Sequence, residues 1–355
     1  FKQKTAYEML RSLVGSEMCI RDRFLAYAYV FGEIFHFLIA LILIRGYPVT
    51  KPSLFYFKSY VKFALPVSIA SASYIIMTNI DKVFIQLFWS AEQVGHYFAV
   101  FNISRYVILF VSSVGVLLFP TISEHHMRKD VAEIRRVVLQ SERYLSMIVF
   151  PIVTLIILLA KPIIHILLSD KYLPALPVLQ ILPLFVLMEA LARPYVSKFQ
   201  GMDMPKIIRN RVFLMMIINV ILNLVLIPRD IRSLGIKLVG LGAEGAAIAT
   251  VTSYIIGLIY IRFEAWKTTR IKGNPKIILH AMASVFMGSI LWYLLKLTHI
   301  SRWYHLLIIA LIGGGIYIVI LFILKEFKKE DFDFFRDTLN IKKMLTYIKE
   351  EVRGK

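Results

Sequence analysis

Among its 355 residues the chain has one cysteine, Cys19, so no intramolecular disulfide and no thiolate metal cluster can form. Acidic side chains are scarce too: 23 Asp and Glu stand against 42 Lys and Arg, a formal net charge of +19. No stretch alternates polar and apolar residues with the period of two that a membrane strand requires, which leaves an all-α class. What the chain has in excess is apolar surface. Hydrophobic residues make up 58% of it, against roughly 45 to 50% in a soluble domain, so it reads as a polytopic membrane protein. In a soluble chain this charge would point to nucleic acid. Here it is spread over short connections, so no nucleic-acid partner is expected and the charge reads as topology plus attraction to anionic membrane lipids.

Nine apolar stretches, about 24–44, 61–88, 95–119, 145–168, 176–198, 211–228, 240–261, 276–296 and 303–324, each approach the roughly 20 residues that a helix needs to cross the hydrocarbon core. Alternate connections carry four (Arg45, Lys51, Lys58, Lys62), five (Arg128 to Arg143), four (Lys198, Lys206, Arg209, Arg211) and five (Arg262 to Lys276) basic residues, and the tail adds nine. The intervening connections carry none to three. By the positive-inside rule the basic side and the C-terminus of this multi-pass protein are expected to be cytoplasmic. Pro66, Pro151, Pro162, Pro183 and Pro194 fall in or beside spans and predict bent helices, a habit of transporters. The charged run 123–144 keeps Val131, Ile134, Val138 and Leu139 at helical spacing, which predicts a helix lying on the headgroups.

Residues 1–23 break the charge rule and resemble a translated sequencing adaptor. They are expected to be non-native, with the native N-terminal portion missing. The run Gly240 to Gly245, GLGAEG, matches a dinucleotide fingerprint by letter, but no strand precedes it. Gly240, Gly242, Ala243, Gly245, Ala246, Ala247 and Ala249 read instead as a small-residue helix surface for close packing. Glu124, His125 and His126 lack a third ligand at a recognisable spacing, so no metal is expected.

Charges at membrane depth carry the functional signal, since each costs a few kcal/mol unless it faces protein or water. Ser71, Tyr74, Thr78 and Lys82 form a polar stripe with Asp81 on its flank. Arg105, deep in the third span, has no acid on its own helix; its partner is Asp81, a group elsewhere, or an anionic substrate. Glu189 and Arg193, four apart, have the spacing of a self-neutralising pair. Glu33 and His36, three apart, can relay a proton or simply pair between helices. Asn219 and Asn223 are expected to hydrogen-bond between helices.

The runs FALPVSIASASYIIMTNIDKVFI, VGHYFAVFNIS and LLFPTIS, then YLPALPVLQIL, NVILNLVLIP and GLGAEGAAIATVTSY, resemble Wzx-type flippases of O-antigen and exopolysaccharide. These lie in the superfamily that includes multidrug-and-toxin extruders and the lipid II flippase. The resemblance covers about 24–324 and implies fourteen helices in two six-helix lobes plus two peripheral helices, of which the nine spans match the last nine. On that division 24–44 ends the first lobe, 45–62 is a linker, 61–262 forms the C-terminal lobe, 276–324 holds the peripheral helices and 325–355 is a cytoplasmic tail. It further implies a transporter of the bacterial inner membrane rather than an enzyme, moving an undecaprenyl-diphosphate-linked glycan outward by alternating access, without a cofactor but with H+ or Na+ as coupling ion. Polysaccharide polymerase and assembly proteins are then expected partners. The residues expected to meet the substrate are Lys82, Arg105 and Arg193; those expected to take the coupling cation are Asp81, Glu189, Glu33 and His36. A small-molecule exporter of the same superfamily would instead need an acidic, aromatic cavity, and a membrane polymerase or acyltransferase a large external loop.

Overall fold

The computed structural model describes residue 24 and residues 27–45, 53–231, 236–297 and 302–327, with the side chains between 59 and 71 described only in part. The N-terminal 23 residues, Ser71's side chain and the tail beyond residue 327 lie outside that set. The chain divides into two compact units, Phe1–Leu65 and Pro66–Lys355. Within the first lies α1, Tyr27–Ile44. Helix α2, Leu54–Phe88, spans the boundary.

The second unit continues through α3 (Ala91–Met127), α4 (Val131–Leu158), the short α5 (Ala160–Ile163), α6 (Leu176–Ile181), α7 (Pro183–Gly201), α8 (Pro205–Leu226), α9 (Ala243–Thr269), α10 (Ile277–Leu297) and α11 (Trp303–Ile323). Among the described residues eight helical segments are long and apolar enough to cross a membrane, with α6 and α7 counted in one segment; α2 is not among them. The protein is a nearly all-helical, multi-pass membrane protein. One exception to the all-α expectation is a two-residue ribbon in the α8 to α9 connection, which pairs Asp230 with Lys237 and Ile231 with Ile236.

Local chemistry sets several boundaries. Ser90 caps α3 by accepting from the Gln93 amide, and Asp130 caps α4 by accepting from Glu133, both with the acceptor three residues ahead of its donor. Pro162 falls where the α-helix gives way to a wider π-turn, Ile164–Leu168. Pro183 starts α7 just after α6 ends, whereas Pro151 and Pro194 sit inside continuous helices.

Helix α7 is central and packs on α3, α4 and α9; α8 lies along α9, and α10 and α11 lean on α4. Residues 123–144 do not form a separate headgroup helix. The chain turns between Met127 and Val131, and the start of α4 buries Ile134 and Val138 completely against Tyr195, Ile261 and Ala265. Those apolar positions serve the bundle rather than lipid. Gly240 and Gly242 are likewise not helical: with φ of +73° and +56° they shape the loop into α9, which begins at Ala243. The close approach expected of the small residues is made by Gly245, where a Cβ would lie 2.8 Å from the Leu226 carbonyl oxygen, beside the buried Ala246, Ala247 and Ala249.

At the basic end of the bundle a charged junction joins α4 to α9, α10 and the segment after α11. Arg143 donates to Glu326 Oε1 at 2.5 Å and to its carbonyl at 2.8 Å, and Lys276 pairs with the other carboxylate oxygen at 2.9 Å. On the neighbouring residue, Glu142 accepts from Arg262 and from the Asn274 amide. Burial disfavours the charged form of Glu326, yet the bonds from Arg143 and Lys276 outweigh it and hold its carboxyl below the usual range.

Candidate functional site

Two polar sites stand side by side inside the second unit. The first is built on Asp81 of α2, which is 2% exposed. Tyr97 of α3 and Thr250 of α9 each donate to Asp81 Oδ2 at 2.7 Å, and Asn223 of α8 donates to Oδ1 at 2.6 Å. Asn223 also donates to Asn219 Oδ1 at 3.0 Å, and Asn219 to Thr250 at 3.4 Å. Four helices thus converge on one carboxylate. The Asn223 Oδ1 is buried without a hydrogen-bond partner among the described residues, and a cavity of about 10 Å³, the space of one water or small ion, borders Asp81, Asn219 and Thr250. One carboxylate among hydroxyl and amide groups, with no thiolate or imidazole, suits a proton or a hard monovalent cation better than a transition metal.

Of the three partners open to Arg105, Asp81 is not the one it meets: Asp81 is enclosed by neutral donors, and Arg105 is exposed on α3. The physical reason is that Asp81 points into the bundle, toward the polar faces of α8 and α9. Its neighbour Lys82, one position round the helix, leaves the core. The Lys82 ammonium donates to Asn79 Oδ1 at 2.9 Å and sits 5.1 and 5.2 Å from the ring centres of Phe98 and Phe101. It is also within electrostatic reach of Arg105.

The second site is a cavity of about 300 Å³ between α2, α3, α7, α8 and α9. Glu189 spans two arginines there, with Oε1 2.9 Å from Arg193 and Oε2 2.7 Å from Arg211. Arg211 also donates to the Gly257 carbonyl at 3.2 Å, and Arg193 reaches Ser112 at 3.4 Å. The pair expected at 189 and 193 is therefore one half of a triad. Arg211 was counted with a basic connection; it lies inside α8, 4% exposed. Its signal was available in the spacing, since Arg211, Met215, Asn219 and Asn223 recur every four residues and are all buried on one stripe of α8. Tyr97 and Thr250 carried no such pattern, because each contributes alone. Tyr254, one turn beyond Thr250, lines both cavities, as does Met77.

Glu33 and His36 lie on α1, in the other unit. His36 Nδ1 is 3.9 Å from Glu33 Oε2, and both side chains are more than three-quarters exposed. Among the described residues no group of three or more His, Cys, Asp or Glu is arranged to hold a metal.

Fold and site together define a helical membrane protein that keeps ionised groups inside its bundle. Comparison with known proteins narrows this. Residues 24–177 match the family model described as polysaccharide biosynthesis protein. The chain is 28% identical over 232 residues to an uncharacterized membrane protein, MJ1068, of Methanocaldococcus jannaschii, covering 63% of this chain and 42% of that one. Its fold is that of the lipid II flippase MurJ in an inward closed conformation: TM-score 0.66, 18% identity, 81% of this chain and 59% of that chain. A MOP superfamily transporter from Pyrococcus furiosus aligns over 66% of this chain and 52% of its own, with 18% identity and TM-score 0.47. The chain thus spans about two-fifths of the archaeal relative and three-fifths of the flippase.

Proposed function

We propose that the chain is part of a flippase that carries an undecaprenyl-diphosphate-linked oligosaccharide across the bacterial inner membrane for cell-surface polysaccharide synthesis, by alternating access coupled to H+ or Na+. The observation that carries this reading is the opposite fate of two adjacent residues. Asp81 is sealed among hydroxyl and amide donors of three neighbouring helices, while the half-buried Lys82 and the exposed Arg105 lie outside that cage. An anionic site for a small cation and a cationic surface for a diphosphate are what a cation-coupled exporter of anionic lipid requires, and Asp81 of the first and Lys82 of the second are adjacent on one helix, so occupancy of one acts on the other across a short distance. Arg193 extends the cationic surface into the larger cavity. Glu189 spends both oxygens on guanidinium groups, so the coupling ion is assigned to Asp81. The family description and the flippase fold support the same class of activity.

The test is complementation of a flippase-null strain with the complete gene and with its Lys82→Ala and Arg105→Ala versions. The reading expects surface polysaccharide from the wild type and loss in both variants at equal expression. Restoration by both variants would remove the substrate surface, and failure of an expressed wild type in a strain of matched sugar would remove the function.

A further inference from the structure

The Arg193, Glu189 and Arg211 triad carries an inference beyond the general cationic surface, and it rests on the export reading for its biological meaning only. Arg211 is almost wholly buried, yet its cavity is open enough to hold a small anion. The Arg193 Nε is buried and has no hydrogen-bond partner among the described residues. Each arginine also lies against a glycine of a neighbouring helix. A Cβ at Gly115 of α3 would come within 2.6 Å of Arg193 Cδ, and one at Gly257 of α9 within 3.3 Å of Arg211 Nε and 2.4 Å of Met215 Sδ. The backbone has thus made room for two guanidiniums around one cavity. Two cations held by one carboxylate leave the triad with a net positive charge inside the bundle, an arrangement that favours a second anion.

We propose that this cavity is a phosphate-binding pocket in which Glu189 is a displaceable internal anion. In the empty pocket it holds Arg193 and Arg211 together; an entering phosphoryl or diphosphoryl group takes over guanidinium donors that Glu189 then gives up. Guanidinium groups bind either oxyanion through paired N–H donors, so the arginines stay hydrogen-bonded through the exchange, and the oxygen that Glu189 frees is left to the water of the cavity it lines. Glu189 sets the affinity low enough for release, which a transporter needs as much as capture.

The probe is inorganic pyrophosphate, titrated calorimetrically into the full chain in lipid nanodiscs. Arg193→Gln and Arg211→Gln each leave a neutral Glu–Arg pair, so both are expected to fold, and each weakens binding about tenfold or more, the loss of one charge-assisted contact. Glu189→Gln tightens binding several-fold. Should two uncompensated arginines prevent that variant from folding, a second measurement needs no change to the triad. Gln200 lines the cavity and is exposed, so a Gln200→Cys chain with Cys19 replaced by serine reacts with a maleimide, and pyrophosphate slows that reaction. Binding that is absent, or indifferent to both arginine substitutions, overturns the pocket. Weaker binding in a folded Glu189→Gln protein overturns the displaceable carboxylate, and no protection at position 200 overturns the pocket. Pyrophosphate binding with these signatures in a protein that fails to restore polysaccharide would leave the pocket standing and remove the export reading.

Discussion

Asp81 is the structural centre of the polar interior of the bundle. Its carboxylate accepts from three donors on three other helices, so truncation would strand Tyr97, Asn223 and Thr250 together. Each stranded donor costs about 1 to 3 kcal/mol, so Asp81→Ala is expected to lower the melting temperature sharply in detergent. Asp81→Asn keeps the volume and one acceptor, and the Tyr97 and Thr250 hydroxyls can rotate to accept, so it costs about 1 kcal/mol. If Asp81 takes the coupling ion, Asp81→Asn also abolishes any dependence of the melting temperature on Na+ or on proton concentration that the wild type shows; a dependence retained in full places that ion elsewhere. At this scale the sequence marked Asp81, Lys82, Arg105, Glu189 and Arg193 as charges that demand explanation. It did not reveal direction: the 100° step between residues 81 and 82 decides which faces the core, and that depends on α8 and α9, about 140 and 170 residues downstream.

At the scale of helices, the packing rests on small residues at a few contacts. Gly245 meets the backbone of Leu226, which cannot retreat as a side chain tip can, so Gly245→Val is expected to cost about 3 kcal/mol or to block folding. Gly314 on α11 has nothing within 4 Å, and Gly314→Ala changes stability by no more than about 1 kcal/mol, in the favourable direction if helix propensity dominates. Equal losses in the two variants, by thermal unfolding, would contradict the α8 to α9 contact. The junction of α4, α10 and the segment after α11 makes a pH prediction. The Glu326 carboxyl titrates lower when folded than when unfolded, so its contribution is fully present above its unfolded value, near 4.5. It is lost as pH falls through the folded value below that. Acid sensitivity of the melting temperature below about pH 4.5 should therefore diminish in Glu326→Gln. Most span limits were legible because hydropathy is summed locally along the chain. The start of α4 was not: an amphipathic stretch reads alike whether its apolar face meets lipid or, as here, Tyr195 and Ile261.

For the whole molecule, the alternation of basic connections makes a topological prediction independent of substrate. A fluorescent-protein fusion after residue 355 should mature in the cytoplasm and a periplasmic alkaline phosphatase fusion there should be inactive, whereas Ser90→Cys should react with an impermeant thiol reagent added outside intact cells. Reversal of both would invert the assigned orientation. The fold class was readable because hydropathy and charge are summed over hundreds of residues, while the proposed substrate and coupling ion turn on side-chain geometry that no composition encodes. The most direct measurement is transport itself. The complete gene product, reconstituted in vesicles carrying a fluorescent undecaprenyl-diphosphate-linked oligosaccharide in one leaflet, should move it to the other faster than protein-free vesicles do, with the acceleration lost in Lys82→Ala and Arg105→Ala; movement no faster than in protein-free vesicles, with folded protein and a matched sugar, would contradict the account.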